Sequence, residues 1–116
     1  MTSAFLLAAG FGSRLRPLTL HRPKPLLPVC GIPLLDHARA HLLSHGITHL
    51  LVNAHHLWQQ IAAWTETHDA ELQVELPDIL GTGGGLRAAL PRLSDRVVVF
   101  NGDILCDVDL TALLAA

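Results

Sequence analysis

An unbroken apolar run, Ala4-Phe5-Leu6-Leu7-Ala8-Ala9, stands near the start of the chain and stops at Gly10. A strand with no polar face has to be covered on both sides, which is how a central strand of a parallel sheet reads. With the alternation of strand and helix patterns that follows it, this predicts a parallel sheet with helices on both faces. The chain has 116 residues, half of them apolar, which suits one domain with a real core. The run could be mistaken for a secretion signal, but no basic residue precedes it and it is short even for an h-region. No stretch reaches the length of a membrane-spanning helix.

The rest of the chain alternates between the two periodicities. Residues 34–45 predict a helix, because Leu34, Leu35, Ala38 and Leu42 fall within about 100° of one another on a helical wheel. Gly46 follows as its stop. Residues 47–53 predict the second strand, and residues 55–68 a second helix with Leu57, Ile61 and Trp64 on one side. Residues 71–76 alternate with period two and predict a strand near a sheet edge. Gly81 to Gly85 holds four glycines and reads as a loop leading into a short helix over residues 86–90. Three consecutive valines in residues 96–100 predict a fourth strand, ending at Asn101-Gly102-Asp103, and Asp109 is placed to N-cap a last helix. Five prolines between Pro17 and Pro33 keep the segment after the first strand largely non-helical.

In a parallel sheet covered on both faces, ligands bind outside the carboxyl ends of the strands. Three segments fall there: the loop after strand one, the glycines after strand three, and Asn101-Gly102-Asp103 after strand four. In the first, Gly10 and Gly12 let backbone N–H groups approach phosphate oxygens, and Arg14 can fork onto two of them. Seven of the eight basic residues are arginine; Lys24, the one lysine, lies between Pro23 and Pro25 and offers a compact charge on a stiffened tether. Two familiar phosphate loops are excluded. The chain has no Gly-Lys pair for a Walker A loop, and Leu15 occupies the place of the third glycine of a dinucleotide fingerprint. A formal net charge of −2 with no basic patch gives no footprint for nucleic acid or acidic membranes. The two cysteines, far apart and outside any C-x-x-C, suit a reducing, cytoplasmic setting.

The segment Leu7-Ala8-Ala9-Gly10-Phe11-Gly12-Ser13-Arg14-Leu15-Arg16-Pro17-Leu18-Thr19, with Pro23-Lys24-Pro25-Leu26, resembles the signature of sugar-1-phosphate nucleotidylyltransferases. Gly31-Ile32-Pro33-Leu34-Leu35, Gly46-Ile47, Leu80-Gly81-Thr82-Gly83-Gly84 and Asn101-Gly102-Asp103 follow the same family's order, so the resemblance covers nearly the whole chain. It implies an α/β fold, a Rossmann-like three-layer αβα arrangement with a mostly parallel sheet, ending after the fourth strand. It implies that residues 1–116 are the nucleotide-binding N-terminal part of such an enzyme. It implies that Ala8, Ala9 and Gly10 lie against the nucleobase and ribose, that Gly12, Ser13 and Arg14 hold the triphosphate, and that Lys24 neutralises charge around the α-phosphate. Gly81, Thr82 and Gly83 would border the nucleoside, and Asp103 would bind a catalytic Mg²⁺. The implied partners are an NTP, either UTP or GTP, and a sugar 1-phosphate. The Thr82-Gly83-Gly84-Gly85 run with Asn53-Ala54-His55-His56 resembles uridylyltransferases acting on N-acetylmuramate 1-phosphate, with mannose-1-phosphate guanylyltransferases close behind.

The family's pattern continues beyond Asn101-Gly102-Asp103 with a second metal-binding aspartate and a sugar pocket, so this chain is expected to hold a nucleotide without turning it over. A non-catalytic nucleotide-binding or regulatory module on the same fold is the competing reading. His37, His41 and His45, spaced by four along one helix face, could pair on zinc, but no H-E-x-x-H accompanies them. A charged His45 near the helix end would favour the macrodipole. Trp58 and Trp64 read as packing residues, and Asp103 taken alone reads as a turn aspartate.

Overall fold

The computed structural model describes residues 2–10, 20–102 and 108–115. The apolar run forms β1 (Thr2–Leu7), and its residues Ala4, Phe5 and Leu6 have no exposed surface. β2 (Pro28–Val29) and β3 (Ile32–Pro33) make a small antiparallel hairpin, unforeseen in the sequence, and the chain then enters α1 (Leu34–Ser44). β4 (His49–Ala54), α2 (Trp58–Thr67) and β5 (Glu71–Val74) follow, then α3 (Gly81–Ala89), β6 (Arg96–Asn101) and α4 (Leu110–Ala115).

The main sheet has the order β5-β4-β1-β6, every pairing parallel, with β1 in the middle as a two-faced apolar strand requires. Its alternation divides the core. Ala4, Leu6 and Ala8 face Leu35, Ala38 and Leu42 of α1, Ile61 and Trp64 of α2, and Leu110 of α4. Phe5 and Leu7 face the other way, with Leu51, Leu86 and Ala89. Helices therefore lie on both faces, the three-layer arrangement expected. Strands are added outward from β1 through β4 to β5, and the direction then reverses to place β6 on the far side of β1. Such a reversal opens a crevice at the carboxyl ends.

The predicted stripe of α1 is the buried one: Leu34, Leu35, Ala38 and Leu42. Asp109 caps α4 by accepting the Ala112 N–H at 3.1 Å. One expectation fails. The glycines of 81–85 are not a loop before a helix; they are its first half, since α3 starts at Gly81 and ends at Ala89. Glycine is a poor helix former, but a Cβ at Gly85 would lie 2.7 Å from Glu75 Oε2, so close packing against the sheet selects it. The second helix also begins later than residue 55, at Trp58.

The histidine stripe ties α1 to distant segments. His37 Nε2 donates to the Val29 carbonyl at 3.0 Å and His41 Nε2 to the Val108 carbonyl at 2.7 Å. His45 Nδ1 accepts the Thr111 N–H at 3.3 Å. Trp64 is a core residue whose Nε1–H donates to Asp36 Oδ1 at 2.5 Å, and its ring stacks on His68 with centroids 4.4 Å apart. No described helix is long and apolar enough to cross a membrane.

Candidate active site

At the carboxyl rim, a cleft of about 230 Å³ is lined by Leu7, Ala9 and Gly10 from the end of β1, Asn53 from β4, and Glu75 and Ile79 beyond β5. Gly81 and Thr82 at the start of α3 and Asn101 at the end of β6 complete it. Two of the three expected segments thus supply residues singled out in the sequence: Ala9 and Gly10 from the first, Gly81 and Thr82 from the second. The third reaches the cleft through Asn101. Ala8 lies just beneath, buried, and Gly83 is exposed on α3.

Lys24 is not among the described residues lining the cleft. It opens a single 3₁₀ turn (Lys24–Leu26), is partly buried, and stands between Pro23 and Pro25, both buried. The stiffened tether is therefore present. Gly12, Ser13, Arg14 and Asp103 lie outside the described residues. Gly102, which immediately precedes Asp103, is held at the rim: its N–H donates to the Leu7 carbonyl at 3.0 Å. A Cβ there would meet Leu35 Cδ1 at 3.0 Å and Leu7 O at 3.1 Å, so a larger residue would need its neighbours to give by a few tenths of an ångström, and glycine lets β6 end close to β1 without that.

The cleft stands on a polar layer that the sequence did not reveal. Asn53, Gln73 and Glu75 project to the face that α3 covers, and all three are buried. Asn53 Oδ1 accepts the Ala8 N–H at 2.6 Å, while its Nδ2 donates to Glu75 Oε2 at 3.1 Å. Glu75 Oε1 accepts the Leu80 N–H at 3.0 Å, at the entrance to α3. Gln73 Nε2 donates to the Gly85 carbonyl at 2.9 Å and, more weakly, to Glu75 Oε2 at 3.4 Å. His55 Nδ1 donates to the Glu75 carbonyl at 2.5 Å, which ties the end of β4 to the end of β5. Among the described residues, no buried side-chain nitrogen or oxygen lacks a partner. The alternation of Glu71, Gln73 and Glu75 predicted a strand, but it reads the same whether the polar face meets water or the underside of a helix. The only available signal was the four nearby glycines, which mark a close approach.

Ala9, Gly10 and Gly81 keep part of this rim free of bulky side chains. Small residues let main-chain N–H and C=O groups come close to a ligand without side-chain obstruction. No group of three His, Cys, Asp or Glu side chains placed to hold a metal occurs among the described residues.

Comparison with known proteins agrees with this architecture. A mannose-1-phosphate guanylyltransferase of Mycobacterium tuberculosis is 37% identical over 126 residues, covering 96% of this chain and 32% of that protein. An N-acetylmuramate alpha-1-phosphate uridylyltransferase of Neisseria meningitidis is 40% identical over 115 residues, covering 94% of this chain and 50% of that one. The chain thus spans from about a third to a half of the length of these relatives. Among solved structures, HddC of Yersinia pseudotuberculosis complexed with GMP-PN shares the fold, with a TM-score of 0.86 and 24% identity over 99% of this chain and 53% of that one. The CTP:phosphocholine cytidylyltransferase of Streptococcus pneumoniae aligns with a TM-score of 0.75 and 27% identity, covering 88% of this chain and 45% of that one. A family model described as the MobA-like NTP transferase domain matches residues 4–116, and the chain belongs to that family.

Proposed function

We propose that residues 1–116 form the nucleotide-binding part of a sugar-1-phosphate nucleotidylyltransferase. The observation that carries this reading is the shared cleft: Ala9, Gly10, Gly81, Thr82 and Asn101, from three separate segments, line one crevice at the carboxyl ends of parallel strands. In this reading Ala8, Ala9 and Gly10 lie against the base and ribose, and Gly81, Thr82 and Gly83 border the nucleoside. Gly12, Ser13 and Arg14 hold the triphosphate, with Lys24 adding positive charge beside the α-phosphate.

The reaction is an in-line displacement. A sugar-1-phosphate oxygen attacks the α-phosphorus of the NTP, the new P–O bond forms as the bond to the β-phosphate oxygen breaks, and pyrophosphate leaves. The nucleophile is already anionic, so no strong base is required. Positioning and charge neutralisation do the rest. Asp103 follows directly on Gly102, which is pinned against Leu7 at this rim, and a carboxylate beside a triphosphate suits a hard cation between the two. Mg²⁺ held by Asp103 would supply Lewis-acid charge stabilisation at the phosphates.

For the base and sugar we favour UTP and N-acetylmuramate 1-phosphate, supported by the 40% identity to the Neisseria uridylyltransferase. GTP with mannose 1-phosphate is the second reading, supported by the Mycobacterium relative. The test is thermal protection by MgUTP and MgGTP, compared between the wild-type chain and the Arg14→Ala, Lys24→Ala and Asp103→Ala variants. Protection by an NTP that each substitution weakens, with Asp103→Ala also erasing the Mg²⁺ dependence, is the expected result. No protection by any NTP would remove the proposal and leave a module of another function on this fold.

A further inference from the structure

We infer that Glu75 is a positioning residue: as an acceptor-only carboxylate it fixes the orientation of the Asn53 amide, and through it the Ala8 backbone beneath the nucleotide cleft. The Glu75 side chain is buried, and among the described residues the three hydrogen bonds to its carboxylate all come from N–H donors: Asn53 Nδ2, Gln73 Nε2 and the Leu80 backbone. Both oxygens thus act as acceptors, and protonation would add an O–H donor with no acceptor among these partners. Asn53, in turn, sits between a backbone N–H that can only donate and a carboxylate that can only accept. Its oxygen must point to Ala8 and its nitrogen to Glu75. The network therefore has one arrangement, and it connects the ends of β1, β4 and β5 with the entrance to α3.

The amide isostere breaks this pattern. In Glu75→Gln an NH₂ group replaces one acceptor. If it faces Asn53, two donors oppose each other, and turning the Asn53 amide over sets Nδ2 against the Ala8 N–H. If it faces Leu80, that N–H loses its acceptor. In every case one buried N–H is orphaned. Asn53→Asp fails for the opposite reason, by placing two carboxylates 3.1 Å apart where a hydrogen bond had been. The double exchange Glu75→Gln/Asn53→Asp restores the pattern with the same total charge. The carboxylate introduced at position 53 accepts from Ala8 and from the new NH₂ at position 75, where the amide carbonyl oxygen accepts from Leu80. Only the longest contact, 3.4 Å from Gln73, is lost, and Gln73 keeps the Gly85 carbonyl.

The functional half of this inference rests on the proposed nucleotide site, so the experiment has two arms. Hydrogen exchange of the Ala8 and Leu80 amides, measured by NMR on the ligand-free chain, reads the network directly. Titration with MgUTP and MgGTP reads its effect on the cleft. Each single variant is expected to speed exchange at Ala8 or Leu80 and weaken nucleotide binding by about tenfold or more, the size of one lost hydrogen bond to a charged group. The double exchange is expected to recover both to within about threefold of wild type. If the single variants do not fold, a double variant that folds with slow exchange at both amides carries the same meaning. A Glu75→Gln variant indistinguishable from wild type, or a double exchange no better than the singles, would overturn the inference. A wild-type chain that binds neither nucleotide would sink the functional reading alone, with the exchange arm still deciding the network.

Discussion

Replacing Gly85 with alanine tests the packing of α3 on its polar bed. In most helices this change is favourable by about 1 kcal/mol, because alanine loses less backbone entropy. Here the added Cβ would lie 2.7 Å from Glu75 Oε2, well inside a comfortable contact, and 3.4 Å from Asn53 Nδ2, at its edge. The carboxylate cannot step aside freely, since the Asn53, Gln73 and Leu80 N–H groups hold it in place. Overpacking of this kind costs about 1–3 kcal/mol. Disturbing a bond to a charged, buried group adds up to about 1.5–3 kcal/mol. After the helix gain, a net loss of about 1.5–5 kcal/mol remains, a fall in Tm of roughly 6–20 °C for a domain of this size. Gly83→Ala is the matched control: nothing lies within 4 Å of its Cβ, so the helix gain should appear undiminished as about 0.5–1 kcal/mol of added stability. Urea unfolding of both variants measures the contrast. A Gly85→Ala protein as stable as Gly83→Ala would mean that α3 does not rest on Glu75 as described.

Substitutions at three further positions probe other joints. Gly102→Ala forces a Cβ to 3.1 Å from the Leu7 carbonyl oxygen, a backbone atom with little freedom, and should lose about 1–3 kcal/mol in urea unfolding. An unshifted midpoint would show that β6 does not end as close to β1 as described. Asp109→Ala removes the acceptor of the Ala112 N–H and should lower stability by about 1 kcal/mol, while Asp109→Asn should retain most of it. Equal losses in the two would deny the capping role. Trp64→Phe keeps an aromatic ring over His68 but strips the donor from Asp36 Oδ1, for a loss of about 1–3 kcal/mol that thermal unfolding would register.

The sheet was legible because burial leaves a direct trace in composition. A strand covered on both faces is mostly apolar, so Ala4 to Ala9 announced β1, while the three valines announced the partly exposed β6 through their preference for strands. The stripe of α1 was equally plain, since Leu34, Leu35, Ala38 and Leu42 repeat at helical spacing and all are buried. Partnerships across long sequence distances were not legible. His41 and His45 suggested a metal pair or a dipole effect, but their partners Val108 and Thr111 lie more than sixty residues away. In the cleft, the segments holding Gly10, Gly81 and Thr82 were placed by topology and by the resemblance, whereas Glu75 was not singled out and Asn53 was noted only as part of Asn53-Ala54-His55-His56. A glutamate at the end of an alternating edge strand has the local signature of a solvated residue. Its burial comes from α3, and the glycine half of α3 was hidden because local propensity assigns four glycines in five residues to a loop.

The two ends of the sheet are cross-tied in different ways, and the difference bears on where the ligand sits. At the amino end, His49 Nε2 donates to Glu71 Oε2 at 2.6 Å, its Nδ1 accepts from Ser3 Oγ at 2.7 Å, and Ser3 Oγ also accepts the Ser94 N–H at 2.9 Å. The Glu71 side chain there is 48% exposed, so water can replace its partners and the pair adds about 0–1 kcal/mol. At the carboxyl end, Asn53 and Glu75 are 3% and 2% exposed, and water has no comparable access. Each donor there must find its acceptor or bear the full penalty of desolvation. The part of the cleft lined by Ala9, Gly10 and Gly81 has little side chain of its own to define its shape. Its shape must be imposed from beneath, and a polar layer with one permitted arrangement does this where interchangeable apolar contacts would not. A similar volume of leucine could keep the sheet together, but it would leave the Ala8 and Leu80 amides without acceptors and the rim without a fixed form.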